Sequence, residues 1–141
     1  SEDITDGGPR IPLARRSIGV GIFDSAGYRI NNILFMNDAL PAVALRKYYT
    51  ASDDLEKICL TLYSNVSRDE FIASRDDEFG NPQMADSDLD INRIGVFEMP
   101  LPPGTPKGTE IEVLFKNTGD MLEVKATVVK TGEETTTVFE I

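Results

Sequence analysis

The sequence predicts an all-β fold, a two-sheet antiparallel β-sandwich of about eight strands. Three observations predict it. Segments rich in β-branched and aromatic residues recur along the chain, several with apolar and polar residues alternating; short intervals rich in Gly, Pro, Asp, Ser and Thr separate them; and no segment reads as a helix. A chain of 141 residues suits one domain, long enough to bury roughly 70% of its unfolded surface.

Residues 1–16, SEDITDGGPRIPLARR, show neither period and hold Gly7, Gly8, Pro9 and Pro12. They read as a flexible leader or the remnant of an interdomain linker, with Ile11 and Leu13 as its apolar holds. The domain proper spans 17–141. SIGVGIF (17–23) and YRINNILF (28–35), joined by DSAG, read as a hairpin. LPAVALRKYYTA (40–51) and KICLTLY (57–63), joined by SDDLE, read as a second hairpin, with Ile58, Leu60 and Leu62 on one face and Cys59, Thr61 and Tyr63 on the other. Residues 64–92 break the rhythm: the stretch is acidic, contains Gly80 and Pro82, and reads as an insertion pinned by Phe71, Ile72 and Phe79. Four more strands follow, at 93–101, 109–117, 122–130 and 135–141, with PPGTPKG, TGDM and TGEE as turns.

Charge narrows the partners. Asp plus Glu outnumber Lys plus Arg by 24 to 14, a net charge of −10, so the average field repels nucleic acid. The apolar runs fall far short of the ~18 residues that span a bilayer, so no membrane partner is expected. One cysteine excludes an internal disulfide and fits a cytoplasmic chain. A start at Ser1 without a signal-peptide pattern leads to the expectation of a piece of a longer or processed protein.

Chemistry finds little purchase. No histidine is present to act as general base or metal ligand, and Cys59 reads as a buried structural thiol. No catalytic residue, metal site or cofactor is therefore expected in this chain. Asp53/Asp54 and Asp76/Asp77/Glu78 read as solvated loop charges. DSDLDIN spaces Asp86, Asp88, Asp90 and Asn92 as calcium loops do, but Ile91 stands where the sharp turn needs Gly and Phe97 where the last ligand should be Glu. Gly19 and Gly21 flank Val20 without the third Gly, the Lys and the helix of a phosphate loop.

Read in order, SIGV, NDALP, YYTASDD, ICLTLYSN, IGVFEM, PPGTPKGTEIEVLF, GDMLEVKA and TGEETTTVFEI resemble the successive strands and loops of the substrate-binding β-domain of the seventy-kilodalton heat-shock (DnaK-type) chaperones. The most specific part is the Pro-rich loop ending in a basic residue and Gly, followed by an Ile-Glu-Val strand, a turn and a Leu-x-Val-x-Ala strand. The resemblance implies a sandwich whose upper loops grip an extended apolar peptide or an unfolded protein. It implies peptide-binding roles for Val20, Tyr48, Ile58, Leu60 and Ile111 at the pocket and its walls, for Ala51 as half of an arch, and for Ile22 or Phe23 as the other half.

The family couples this domain to an ATPase domain that binds ATP and magnesium, expected here outside the chain. The loop's basic residue, an Arg in the family, is Lys107 here, and would serve that coupling without Arg's planar fork. The basic leader differs from the family's acidic, leucine-rich linker, and no helical lid is expected in this chain. The leading expectation is thus the peptide-binding module of a divergent chaperone. The alternative is a sandwich that docks one dedicated partner or its own parent protein; self-association through an unlidded cleft is a further expectation.

Overall fold

The computed structural model describes residues 10–76, 78–79, 82–83 and 89–141. In chain order the strands are β1 (Ser17–Asp24), β2 (Gly27–Leu34), β3 (Ala42–Tyr49), β4 (Lys57–Asn65), β5 (Phe71–Ala73), β6 (Arg75–Asp76), β7 (Pro82–Gln83), β8 (Asn92–Pro100), β9 (Glu110–Asn117), β10 (Met121–Val128) and β11 (Glu134–Glu140). Nine of them build the expected all-β architecture: a five-stranded antiparallel sheet in the order β5-β2-β1-β4-β8, and a four-stranded one in the order β11-β10-β9-β3. Among the described residues β6 and β7 pair only with each other. Among the described residues no helix is long and apolar enough to cross a membrane.

Alternation explains the core. β9 turns Ile111, Val113 and Phe115 inward, and β10 turns Leu122, Val124, Ala126 and Val128 inward; from the facing sheet Ile18, Val20, Leu60, Leu62, Phe97 and Met99 meet them. Each of the larger side chains contributes roughly 1.5–3 kcal/mol by leaving water.

The first hairpin forms as expected: β1 and β2 pair from Asp24↔Gly27 down to Ile18↔Leu34. Its tip is tightened by Asp24, whose Oδ1 accepts the Ala26 N–H at 2.9 Å, and by Gly27 at φ 94°.

The second hairpin does not form. β3 pairs with β9, in the register Tyr48↔Ile111 and Leu45↔Leu114, while β4 lies between β1 and β8 in the other sheet. Both β3 and β4 must present apolar residues to one core. Residues 50–56 are long enough to cross the ~10 Å between packed sheets, so the loop carries the chain across the sandwich instead of folding it back.

The insertion is anchored differently from its expectation. β5 extends the five-stranded sheet at β2, and Ile72 is buried opposite Ile30. Phe71 stays partly exposed and Phe79 is 81% exposed, so of the three expected anchors only Ile72 lies in an interior. The insertion's entry and exit meet where the Val66 N–H donates to the Leu89 carbonyl at 2.9 Å.

The described part of the leader, residues 10–16, is docked by its backbone. Ala14 N–H donates to Asp38 O at 2.8 Å, Asn37 N–H to Ala14 O at 2.7 Å and Leu40 N–H to Pro12 O at 2.9 Å. Buried Ala14 is the hold here, whereas Ile11 and Leu13 remain exposed.

Candidate functional site

β1 and β4 are neighbours at the centre of their sheet, yet they pair over only four positions, Ser17↔Asn65, Ile18↔Ser64, Gly19↔Tyr63 and Val20↔Leu62. Above that point β1 runs on to Asp24 against β2, and β4 comes down from Lys57 against β8. Among the described residues no strand pairs with the facing edges of 21–24 and 57–61. The sheet therefore forks. The facing main-chain groups of a fork are unpaired donors and acceptors, the feature by which an extended segment is added to a sheet.

Most of the residues expected at a peptide site gather at this end. Val20, Leu60 and Ile111 are buried in the main core, where they form a floor, and Ile22, Tyr48 and Ile58 pack on it half-covered. Leu55, passed over in the sequence because it sits in a charged loop, joins the same half-covered layer. Burial raises the Tyr48 phenol above its ordinary pKa, against the opposing charge of Arg46. Ile22 and Phe23 face opposite ways by alternation: Ile22 packs on the core, whereas Phe23 is 79% exposed on the other face. Ala51 is exposed on the crossing loop after β3.

That loop is not free. Residues 50–56 cross from β3 to β4, and the Pro-rich loop 101–109 crosses back from β8 to β9 at the same end of the sandwich. Thr50 joins them: its N–H donates to Thr109 O at 3.1 Å, its carbonyl accepts the Gly108 N–H at 2.9 Å, its hydroxyl donates to Pro106 O at 2.8 Å, and its Oγ1 accepts the Thr109 N–H at 2.9 Å. Asp53 accepts the Lys107 N–H at 2.8 Å; Asp54 accepts the Gly104 N–H at 2.6 Å and donates its own N–H to Thr105 O at 2.9 Å. Asp53 and Asp54 are exposed loop charges, as expected, and in addition brace the Pro-rich loop. Lys107 is exposed and lines a recess of about 300 Å3 with Thr109, Val129 and Lys130.

On the outer face, Tyr28 of β2 and Tyr63 of β4 bring their hydroxyls to 3.0 Å over Gly21 of β1. Partial burial, reinforced by the Tyr63 hydrogen bond, raises the Tyr28 phenol well above its usual range. Cys59 is exposed, which corrects the expectation of a buried thiol; the outer face of β4 is left uncovered at this height. Beside it Glu98 accepts a hydrogen bond from the Lys57 ammonium at 3.1 Å, which raises the Lys57 pKa. On the inner face Asp24 accepts a hydrogen bond from Arg29 at 2.6 Å, and this, with the Ala26 N–H, holds its carboxyl below the ordinary value.

No family model and no curated protein matches this chain.

Among the described residues no group of three or more Cys, Asp or Glu is placed to hold a metal. Of the calcium-spaced carboxylates, Asp86 and Asp88 lie outside the described residues, and Asp90 is committed to Arg16 by an ion pair of 2.7 Å. A second cavity, of about 490 Å3, lies at the opposite end of the sandwich between the leader and the turn after β9, lined by Leu13, Arg15, Ile18, Leu40, Asp120 and Ile141. It contains none of the expected site residues.

Proposed function

We propose that this domain binds extended apolar segments of other proteins in the fork between β1 and β4, as the peptide-binding module of a chaperone whose ATPase lies elsewhere. It acts by binding and not by catalysis. The observation that supports this reading is the early end of the β1–β4 ladder, directly beside Ile22, Tyr48, Leu55 and Ile58. Main-chain bonds at the fork are indifferent to side-chain identity and net about 0.5–1.5 kcal/mol each. An apolar side chain settling on Ile22, Tyr48 and Ile58 adds roughly 1.5–3 kcal/mol. After the ordering of a flexible peptide is subtracted, the balance is on the order of micromolar affinity with broad selectivity.

The dedicated docking module is a second reading with an observation of its own. The floor residues Val20 and Ile111 are already covered, so the surface offered to a guest is shallow and wide, not one deep pocket. A single cognate partner suits such a surface.

Fluorescence anisotropy of labelled peptides with a central Leu flanked by Arg tests both. The expected result is saturable micromolar binding by several unrelated sequences, weakened at least tenfold by Ile58→Asp and by the milder Ile22→Ser, with circular dichroism verifying that each variant is folded. If the folded wild-type domain binds none of them, general client binding is wrong; retention of one natural partner alone moves the conclusion to docking.

A further inference from the structure

The insertion meets the β1–β2 hairpin at the wall of the fork. In the sheet, Ile22 of β1, Arg29 of β2 and Ala73 of β5 stand in one row, and cross-strand neighbours of an antiparallel row share a face. Arg29 therefore adjoins Ile22 on the inner face. Its Nη2 donates to Asp24 Oδ2 at 2.6 Å, and its guanidinium carbon lies 4.0 Å from the centre of the Phe71 ring. One residue further on, Ser74 donates twice to the Tyr28 carbonyl, from its hydroxyl at 2.6 Å and its N–H at 3.1 Å. The outer face of the same hairpin is held by the Tyr28–Tyr63 hydroxyl pair. Among the described residues the upper half of β1 pairs with β2 alone, because its ladder with β4 has ended, so these contacts add to the packing of Ile22 in tying the hairpin to the body.

We infer that residues 71–74 brace the hairpin wall of the fork, and that Arg29 and Phe71 are positioning residues which set how long a bound segment is held. The inference about holding time rests on the peptide-binding reading; the brace does not. The parts suit the task. Phe71 anchors a cation from a partly exposed site, where its loss does not open the core. Asp24 couples that cation to the turn through the Ala26 N–H. Buried Ile72 fixes β5 itself.

The test uses the whole chain in two measurements: hydrogen exchange at the amides of 23–27 in the free protein, and the dissociation rate of a labelled Leu-centred peptide. Phe71→Ala and Asp24→Asn are each expected to speed both by about three- to tenfold, the size of a partly shielded cation–π contact or charge-assisted bond. Phe71→Tyr is expected to restore both, and Lys47→Ala, on the other sheet, to change neither. Unchanged exchange at 23–27 in Phe71→Ala overturns the brace. Exchange that responds while dissociation does not overturns the claim on holding time, and exchange that responds in a protein binding no peptide overturns the functional reading alone.

Discussion

Tyr28 and Tyr63 stand on the strands either side of β1 and bring their hydroxyl oxygens within 3.0 Å across Gly21. The pair sits at the height where the β1–β4 ladder ends, so it is a clasp at the base of the fork. Only Gly leaves room for it, since a Cβ there would run into the Tyr28 hydroxyl and come within 3.2 Å of the Tyr63 ring. Gly21→Ala is expected to cost about 1–3 kcal/mol, the range for overpacking, read as a lower urea midpoint. Adding Tyr28→Phe to that variant removes the clashing oxygen and recovers part of the loss; a double variant no better than the single one would show the clasp to be elsewhere.

The same pair predicts an alkaline response. The Tyr28 phenol is raised in the fold by burial and by Tyr63, so its contribution is complete below the ordinary tyrosine value of about 10 and is lost as pH climbs through the raised one. Wild-type stability should therefore decline from about pH 10 upward more steeply than that of Tyr28→Phe. Parallel curves in urea melts across pH 9–12 would contradict it.

Thr50 joins the two crossing loops through both its backbone groups and its hydroxyl. Thr50→Val keeps the shape and strands the half-buried Thr109 N–H, while the Pro106 carbonyl keeps the Thr109 hydroxyl at 2.7 Å, so the cost is about 1 kcal/mol. The midpoint of urea unfolding measures it, and a loss below about half a kilocalorie would mean that water replaces the hydroxyl at no penalty.

Cys59 is exposed on the fork's edge strand. Its thiol should react completely with a thiol-modifying dye in the native protein, without denaturant. Saturating peptide should slow that reaction severalfold. Labelling that needs unfolding would restore the buried thiol first read from the sequence, and labelling indifferent to bound peptide would place the guest away from β4.

The strands were legible because period-two alternation is a local signal: Ile111, Val113 and Phe115 stand inward as their spacing demands. Pairing was less so. The SDDLE interval looks the same whether it turns a hairpin or crosses between sheets, and the choice depends on β9, far along the chain. Asp53 and Asp54 find their donors on a loop some fifty residues away, and no local pattern announces that. Cys59 was misjudged because alternation assigns a face and does not say what covers it. Val20, Leu60 and Ile111, which belong to the core, and Ile22, Tyr48 and Ile58, which pack against it, were named through the family resemblance. Leu55 and the Arg29–Phe71 contact were not, since an apolar residue among charges and a cation over a ring both need the tertiary fold to acquire meaning.

The union of the two crossing loops also bears on kinetics. Its hydrogen bonds join residues 50–59 positions apart, and such contacts become favourable only after something else has closed the intervening loop. The ladders do so: Lys57↔Pro100 and Tyr49↔Glu110 bring the loop ends together from either sheet. A change at Thr50 or Asp54 is therefore expected to fall on the unfolding rate and to leave the refolding rate nearly untouched, which urea-dependent folding and unfolding rates of Thr50→Val would check. On that expectation these few bonds set the lifetime of the native state, and the ladders set how soon it is reached.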